Sequence, residues 1–305
     1  MRGASSVARV RTLLLIEGVT WGASYSVARI VTSSGVDPVG LTMWQSFLIA
    51  GLMLPFAKWP KLTRSSIRFL VVTAVFGTAL PSVVWFAVTP HLPAGLLGVV
   101  NAISPMMALS ICLALSLEIF AIRRVLGIAF GFVAVLMLVV PKTSLPGAGM
   151  AGWVLLLLAM PLCYAAEGII IATMRPPKER STTLLCGMQV IAGVLLLPIA
   201  VSRGGAGWPA AFGPTLLWFV LLGALNAATF LLYLEVIRRA GAVFASQSFY
   251  LVPVTGILWG YFLLGEKPSP WVFGAIAATL LGLALVRPAE IAPAVVREEP
   301  EEDGG

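Results

Sequence analysis

Charge is what this chain has least of. Lys, Arg, Asp and Glu make up 11% of its 305 residues, against about 25% in an ordinary soluble domain. A soluble fold of that composition would leave large apolar patches in water. Histidine occurs once, at His91 between Pro90 and Pro93, which leaves no His-rich metal set and no base paired with a nucleophile. The three cysteines, Cys112, Cys163 and Cys186, sit inside apolar runs and match neither a metal spacing nor a disulfide framework. They read as inert core thiols. No G-x-x-x-x-G-K-[ST] loop is present, so nothing in this chain would couple it to ATP. Cofactors, metals and catalytic residues are therefore expected to be absent, and the chain is not expected to be an enzyme.

What the chain has in abundance is apolar length. It is 59% hydrophobic, with a mean hydropathy of +0.98. Ten apolar segments can be drawn, roughly 12–32, 39–57, 66–88, 93–116, 121–140, 151–174, 182–202, 213–236, 241–264 and 269–286. Each is about 18–24 residues, enough to cross a hydrocarbon core of about 30 Å at 1.5 Å per residue. Backbone facing lipid must satisfy its own hydrogen bonds, so the segments are expected to be helices. The fold class is then an all-α integral membrane protein with ten transmembrane helices. Glu17 interrupts the first run, and no clear small-residue cleavage pattern precedes Arg29, so the N-terminus reads as a retained helix rather than a signal peptide.

The net charge of +7 does not call for nucleic acid, because the basic residues fall in short clusters between apolar runs. With the N-terminus in the cytoplasm, 16 Lys and Arg fall inside and four (Arg29, Lys142, Arg203 and Lys267) fall outside. This bias predicts a multi-pass protein of the cell membrane with both termini cytoplasmic.

The chain also repeats itself. Asn101-Ala-Ile-Ser-Pro105 leads through an apolar run to Glu118, and Phe249-Tyr-Leu-Val-Pro253 leads to Leu264-Gly-Glu266. The two are 148 positions apart, and in each the proline precedes the glutamate by 13 residues. Gln45…Ala50-Gly51…Pro55 is echoed by Gln189…Ala192-Gly193…Pro198, and Ala94-Gly95 by Ala240-Gly241. Residues 12–140 and 151–287 are therefore expected to be two five-helix repeats. Five is odd, so the second would enter the membrane from the opposite side, an inverted repeat of the kind that builds transporters. Residues 288–305, rich in Pro and Glu, read as a disordered acidic cytoplasmic tail.

Trp21-Gly22 with Arg29 at the far end of the first helix, the prolines of segments four and nine, and Leu264-Gly-Glu266 resemble the EamA type of the drug/metabolite transporter superfamily. The resemblance runs from about 12 to 287. It implies ten helices, export of amino acids or other small metabolites, and a substrate path between the two halves. Members commonly carry an arginine early in the second helix; here the corresponding residues are Trp44-Gln45.

Ionisable groups at membrane depth are costly and usually functional. Glu17 lies six residues past Arg11, roughly 9 Å into the membrane, with Trp21, Ser24 and Tyr25 on the same helical face. The functional reading is a carboxylate that titrates or binds a cation beside an aromatic wall; the structural alternative is snorkelling or an arginine pair. Glu167 lies about 12 Å from Arg175 by the same rise, sharing a face with Tyr164 and Cys163. Proton exchange is expected at one of these two acids. Gln45, Asn101, Asn226 and Gln247 could line the path or merely bond between helices. Trp85, on a stripe with Thr78, Pro81, Ser82 and Thr89, and Tyr250, on a face with Gln247, are further path candidates. Pro105 and Pro253 are expected to kink their helices and act as hinges. Glu118 and Glu266 read as caps or loop salt bridges. The expected function is a secondary transporter, an exporter of small metabolites such as amino acids working by alternating access as a monomer. Its partners would be the bilayer, a small-molecule substrate and protons. A membrane-embedded enzyme and a passive channel or scaffold are the rival classes.

Overall fold

The computed structural model describes residues 2–58, 63–116, 121–140, 149–172, 174, 179–206, 212–240, 245 and 247–285. Glu118 and the expected tail at 288–305 lie outside them. Among the described residues the regular structure is entirely helical. The α-helices are α1 Arg2–Thr32, α2 Pro38–Met53, α3 Arg64–Ala74, α4 Leu80–Val88, α5 Ala94–Asn101, α6 Ser104–Ala114, α7 Ile122–Val139, α8 Met150–Leu157, α9 Ala159–Ala172, α10 Ser181–Ser202, α11 Phe212–Ala240, α12 Ser248–Leu264 and α13 Pro270–Leu285.

Local chemistry sets several boundaries. Gly35, with φ +73°, ends the turn after α1. Asp37 then caps α2 by accepting from Gly40 N at 2.9 Å, with Pro38 in the first turn. Thr63 caps α3 by accepting from Ser66 N at 3.1 Å. A π-helical turn, Val75–Ala79, joins α3 to α4. Pro81 explains it: the ring has no N–H for the Gly77 carbonyl and would strike it, so the backbone widens there.

Six helical stretches are long and apolar enough to cross a membrane: Pro38–Phe56, Arg64–His91, Ala94–Ala114, Met150–Ile170, Ser181–Ser202 and Thr215–Ile237. Val125–Val139, Ser248–Leu264 and Pro270–Leu285 are shorter apolar helices. The first helix is long enough but stands in neither set, because Glu17 and a run of Gly, Ser, Thr, Trp and Tyr make it too polar. Ten spans were expected; six segments meet that expectation by length and composition.

The two matched prolines behave differently. Pro105 stands in the first turn of α6, after a break at Ala102 and Ile103 that separates α5 from α6. Pro253 lies within α12, which continues through it.

Helix α1 lies along α11 and α12, and α9 along α4 and α6; α2 lies along α10, α7 along α13 and α5 along α12. Exposed aromatic and aliphatic side chains such as Phe132, Leu217, Phe262 and Phe273 cover the outside of the bundle, a surface suited to lipid rather than water. The α1–α12 seam depends on small residues. Thr255 Oγ1 donates to Gly18 O at 2.8 Å and Trp259 Nε1 to Val19 O at 3.1 Å. A Cβ on Gly22 would stand 2.7 Å from Gly256 N and 2.8 Å from the Thr255 carbonyl carbon. Small residues that let two backbones approach are a common way of packing helices in a membrane.

This seam gives a paired test. Gly22→Ala should force the backbones apart and lower stability by about 1–3 kcal/mol, the usual cost of overpacking. Gly51→Ala meets nothing within 4 Å and should be neutral or stabilising by up to about 1 kcal/mol, since alanine favours the helix. Thermal unfolding of the two variants in detergent checks both.

Candidate functional site

Helix α1 delivers the first part of the site. Glu17, Trp21 and Tyr25 recur at four-residue spacing on one face, and that face is turned into the protein rather than to lipid. Glu17 is 0% exposed and Tyr25 1%. Both carboxylate oxygens of Glu17 are buried without a hydrogen-bond partner among the described residues. Ser248, at the start of α12, lies beside this carboxylate, but its hydroxyl donates to Ala245 O at 2.9 Å. Trp21 meets Phe249 of α12 with ring centroids 5.7 Å apart, tilted by 58°.

One turn further on, Tyr25 stands edge-on to Trp85 of α4, centroids 5.7 Å apart and planes at 85°. Asn101, the last residue of α5, lies beside Tyr25 and is fully buried. The Tyr25 hydroxyl, Trp85 Nε1 and both side-chain polar atoms of Asn101 are buried and unpartnered among the described residues. Gly98 allows this convergence: a Cβ there would lie 3.1 Å from Val252 O and 3.5 Å from the Tyr25 ring.

Helix α9 brings the second acid. Glu167 is half-buried, and its carboxylate rests against Gly77 in the π turn, where a Cβ would come within 2.6 Å of Cδ. Tyr164, one turn earlier, lies within electrostatic reach of both Glu167 and Tyr25. Tyr233 of α11 lies within such reach of both Glu17 and Glu167, which places the two acids in one electrostatic neighbourhood. Glu17, Trp21, Tyr25, Trp85, Asn101, Tyr164 and Glu167 are thus one connected group drawn from α1, α4, α5 and α9.

Other candidates stand elsewhere. Gln45 and Gln189 are buried on α2 and α10 beside a separate apolar cluster. Their Nε2 and Oε1 atoms respectively lack partners among the described residues. Asn226 is half-buried on α11. Gln247 is exposed just before α12, and Tyr250 packs on the cluster around Ala102 and Met106. His91 stacks on Trp153, ring centroids 3.9 Å apart. The fold adds Ser248, Phe249 and Tyr233 to the group around the acids. Phe249 opened the second copy of the Pro-to-Glu repeat, and Tyr233 lies seven residues past Asn226 on α11, but no spacing rule could bring either to α1.

Glu266 is a cap and a clasp. Its carboxylate accepts from Ala94 N at 2.8 Å and Gly95 N at 3.3 Å, at the start of α5, and pairs with Arg29 at 3.0 Å. The same arginine donates to Leu92 O at 2.5 Å. Gly265, with φ +64°, turns the chain out of α12 to place this glutamate. The far end of α1, the start of α5 and the end of α12 meet at this one carboxylate.

Residues 10–140 and 151–287 each match one family model, that of the EamA-like transporter family. The chain belongs to that family. It is 25% identical over 297 residues to the S-adenosylmethionine/S-adenosylhomocysteine transporter of Chlamydia trachomatis serovar L2, covering 90% of this chain and 88% of the relative. The serovar D transporter of the same name matches at the same identity and coverage. A solved crystal structure at 19% identity shares the fold with a TM-score of 0.58, over 90% of this chain and 96% of that one. Membership and relatives point to a multi-pass membrane transporter acting on a small molecule, rather than an enzyme.

The unpartnered hydroxyl of Tyr25 separates a role in the EamA-family fold from a role toward a ligand. Removing a buried group that bonds nothing costs the fold nothing and can stabilise it. Tyr25→Phe should leave the unfolding temperature unchanged or raised, and should reduce substrate transport by about tenfold, the worth of one hydrogen bond to a ligand of about 1.4 kcal/mol. Parallel thermal unfolding and proteoliposome uptake check the two halves.

Proposed function

We propose that this protein is a secondary transporter that exports small metabolites of the amino-acid type by alternating access. In this reading ten helices span the cytoplasmic membrane with both termini inside. Residues 12–140 and 151–287 are inverted five-helix repeats that rock around a central path, one chain forming a complete path. The observation that carries the reading is the cross-packing of helices. Helix α1 is seated between α11 and α12, while α9 is seated against α4 and α6, and α2 with α10 and α7 with α13 complete the matched set. Such exchange is what an inverted repeat produces around a pseudo-two-fold axis. The buried group around Glu17, Tyr25, Asn101 and Glu167 lies where those exchanged helices meet. It forms the path in this reading, with Gln45, Asn226, Gln247 and Tyr250 farther along it and Pro105 and Pro253 as hinges.

The chlamydial relatives widen the substrate class to amino acids linked to a nucleoside, S-adenosylmethionine among them. The clasp of Arg29 and Glu266 joins α1 and α5 of one repeat to α12 of the other. It would close the outer end of the path and would have to open once per cycle.

Proton coupling is part of this reading, because two carboxylates sit at the path and their titratable neighbours among the described residues are phenols and a thiol. Tyr233 faces both, while Cys163 and Tyr164 face Glu167. The experiment is uptake into proteoliposomes of labelled amino acids and S-adenosylmethionine, under an imposed pH gradient of either sign. Saturable, gradient-stimulated uptake of at least one substrate is expected, and no uptake above empty liposomes would overturn transport itself. Glu17→Gln and Glu167→Gln, made singly, should flatten the pH dependence in at least one case; an unchanged profile in both removes the proton.

A further inference from the structure

We propose that Glu17 selects for charge: it is the site that holds a fully substituted onium cation, a sulfonium or quaternary ammonium with no N–H to donate, of the transported metabolite. The proposal rests on the transporter reading and adds the substrate's chemical class. Its starting point is a carboxylate that is 0% exposed with both oxygens unpartnered among the described residues. An anion taken out of water without a partner is strongly unfavourable, so this carboxyl is completed either by a proton or by a cation whose own desolvation the site offsets.

Among the described residues no basic side chain pairs with this carboxylate. On α1 the described basic side chains are Arg9, Arg11 and Arg29. Arg11 is exposed at about 9 Å along the helix axis, and Arg29 is about 18 Å away and held by Glu266. Helices α11 and α12 face Glu17 with Tyr233 and Ser248. The described basic side chain of α11, Arg239, is exposed and pairs with Glu235. Aromatic side chains stand nearby: Trp21 lies one turn along α1 with Phe249 packed on it across the seam, and Tyr233 of α11 is within electrostatic reach. Aromatic faces attract a cation without supplying a competing hydrogen bond. A sulfonium has no N–H to donate and is recognised only through charge and such faces. An unpartnered carboxylate with three aromatic residues nearby matches that chemistry.

The test compares two ligands that differ by one methyl group and one positive charge. S-adenosylmethionine carries a sulfonium, and S-adenosylhomocysteine is the corresponding thioether. Equilibrium binding of each to the purified full-length protein in lipid nanodiscs reads the preference without requiring transport. Wild type should bind the sulfonium about tenfold or more tighter, the scale of one desolvated charge contact. Glu17→Gln should reduce the ratio below about twofold while thioether affinity stays within about twofold, and Glu17→Asp should keep the preference. Choline and its neutral isostere 3,3-dimethyl-1-butanol repeat the comparison for ammonium. A Glu17→Gln protein that loses both ligands equally, or keeps the preference, overturns the proposal. So does a wild type that prefers neither cation.

Should the variant not fold, wild type answers alone. Dicyclohexylcarbodiimide labelling of Glu17, read by mass spectrometry, should be blocked by the sulfonium compound and not by the thioether. Equal labelling in the presence of either overturns the proposal. Transport without charge preference leaves the transporter reading standing and removes this one, whereas absent uptake of any metabolite removes the transporter reading while the binding ratio still reports on Glu17.

Discussion

One helix cannot face lipid on its inner side, and the bundle is arranged around that fact. Helix α1 carries Glu17, Thr20, Ser24, Tyr25 and Ser26 along its length, and a carboxylate in hydrocarbon is among the costliest placements a side chain can have. The helix avoids it by lying between α11 and α12. There Thr255 and Trp259 bond its carbonyls, Thr229 Oγ1 and Thr20 Oγ1 stand 3.1 Å apart, and Gly18 and Gly22 let the backbones close. The same polarity that keeps α1 out of the set of apolar spans makes it the element on which the interface of the halves is built.

The repeated features and the unrepeated ones have gone to different tasks. The glutamate that recurs 13 residues after each proline is, at Glu266, a helix cap and salt bridge at the end of the bundle. It holds three elements together at the edge of the structure and touches none of the aromatic group at the centre. Glu17 and Glu167 have no such duplicate, and it is these two that lie within electrostatic reach of Tyr233. Duplication supplies a scaffold whose elements recur; what a site recognises is set by substitutions made in one copy only.

Much of the helical frame was legible because bilayer thickness and hydropathy fix segment lengths. The expected 182–202 is Ser181–Ser202, and the expected 269–286 is Pro270–Leu285. The face that joins Glu17, Trp21 and Tyr25 was legible because helical spacing is local arithmetic. The rest depends on pairings across long stretches of chain. Phe249 on Trp21, Glu167 on Gly77 and Tyr233 between two acids each join residues more than 60 positions apart, and no periodicity encodes a partner. Proline was read too simply. Pro81 produces a π turn that seats Glu167, Pro105 begins a helix after a break, and Pro253 is carried within one. The missing N–H is the same each time; what differs is whether neighbouring turns can absorb it. Gln247 had a plausible place on the α12 face but precedes the helix and is exposed.

The distribution of satisfied and unsatisfied polar groups is the strongest argument that the centre is more than packing. Many hydroxyls elsewhere in the bundle are quieted locally, Ser26 and Thr279 excepted: Thr42, Thr73, Thr89 and Ser110 each return a hydrogen bond to a carbonyl one turn back. The sequence therefore has ready means of silencing a buried polar atom and uses them widely. Six of the ten buried orphan atoms among the described residues belong to Glu17, Tyr25, Trp85 and Asn101, all within one connected group. An unsatisfied buried group costs about 1–3 kcal/mol, more when charged, and replacing it with an apolar side chain of similar shape would relieve that cost. Keeping four such residues together, with donors and acceptors both represented, fits a surface completed by something other than the protein.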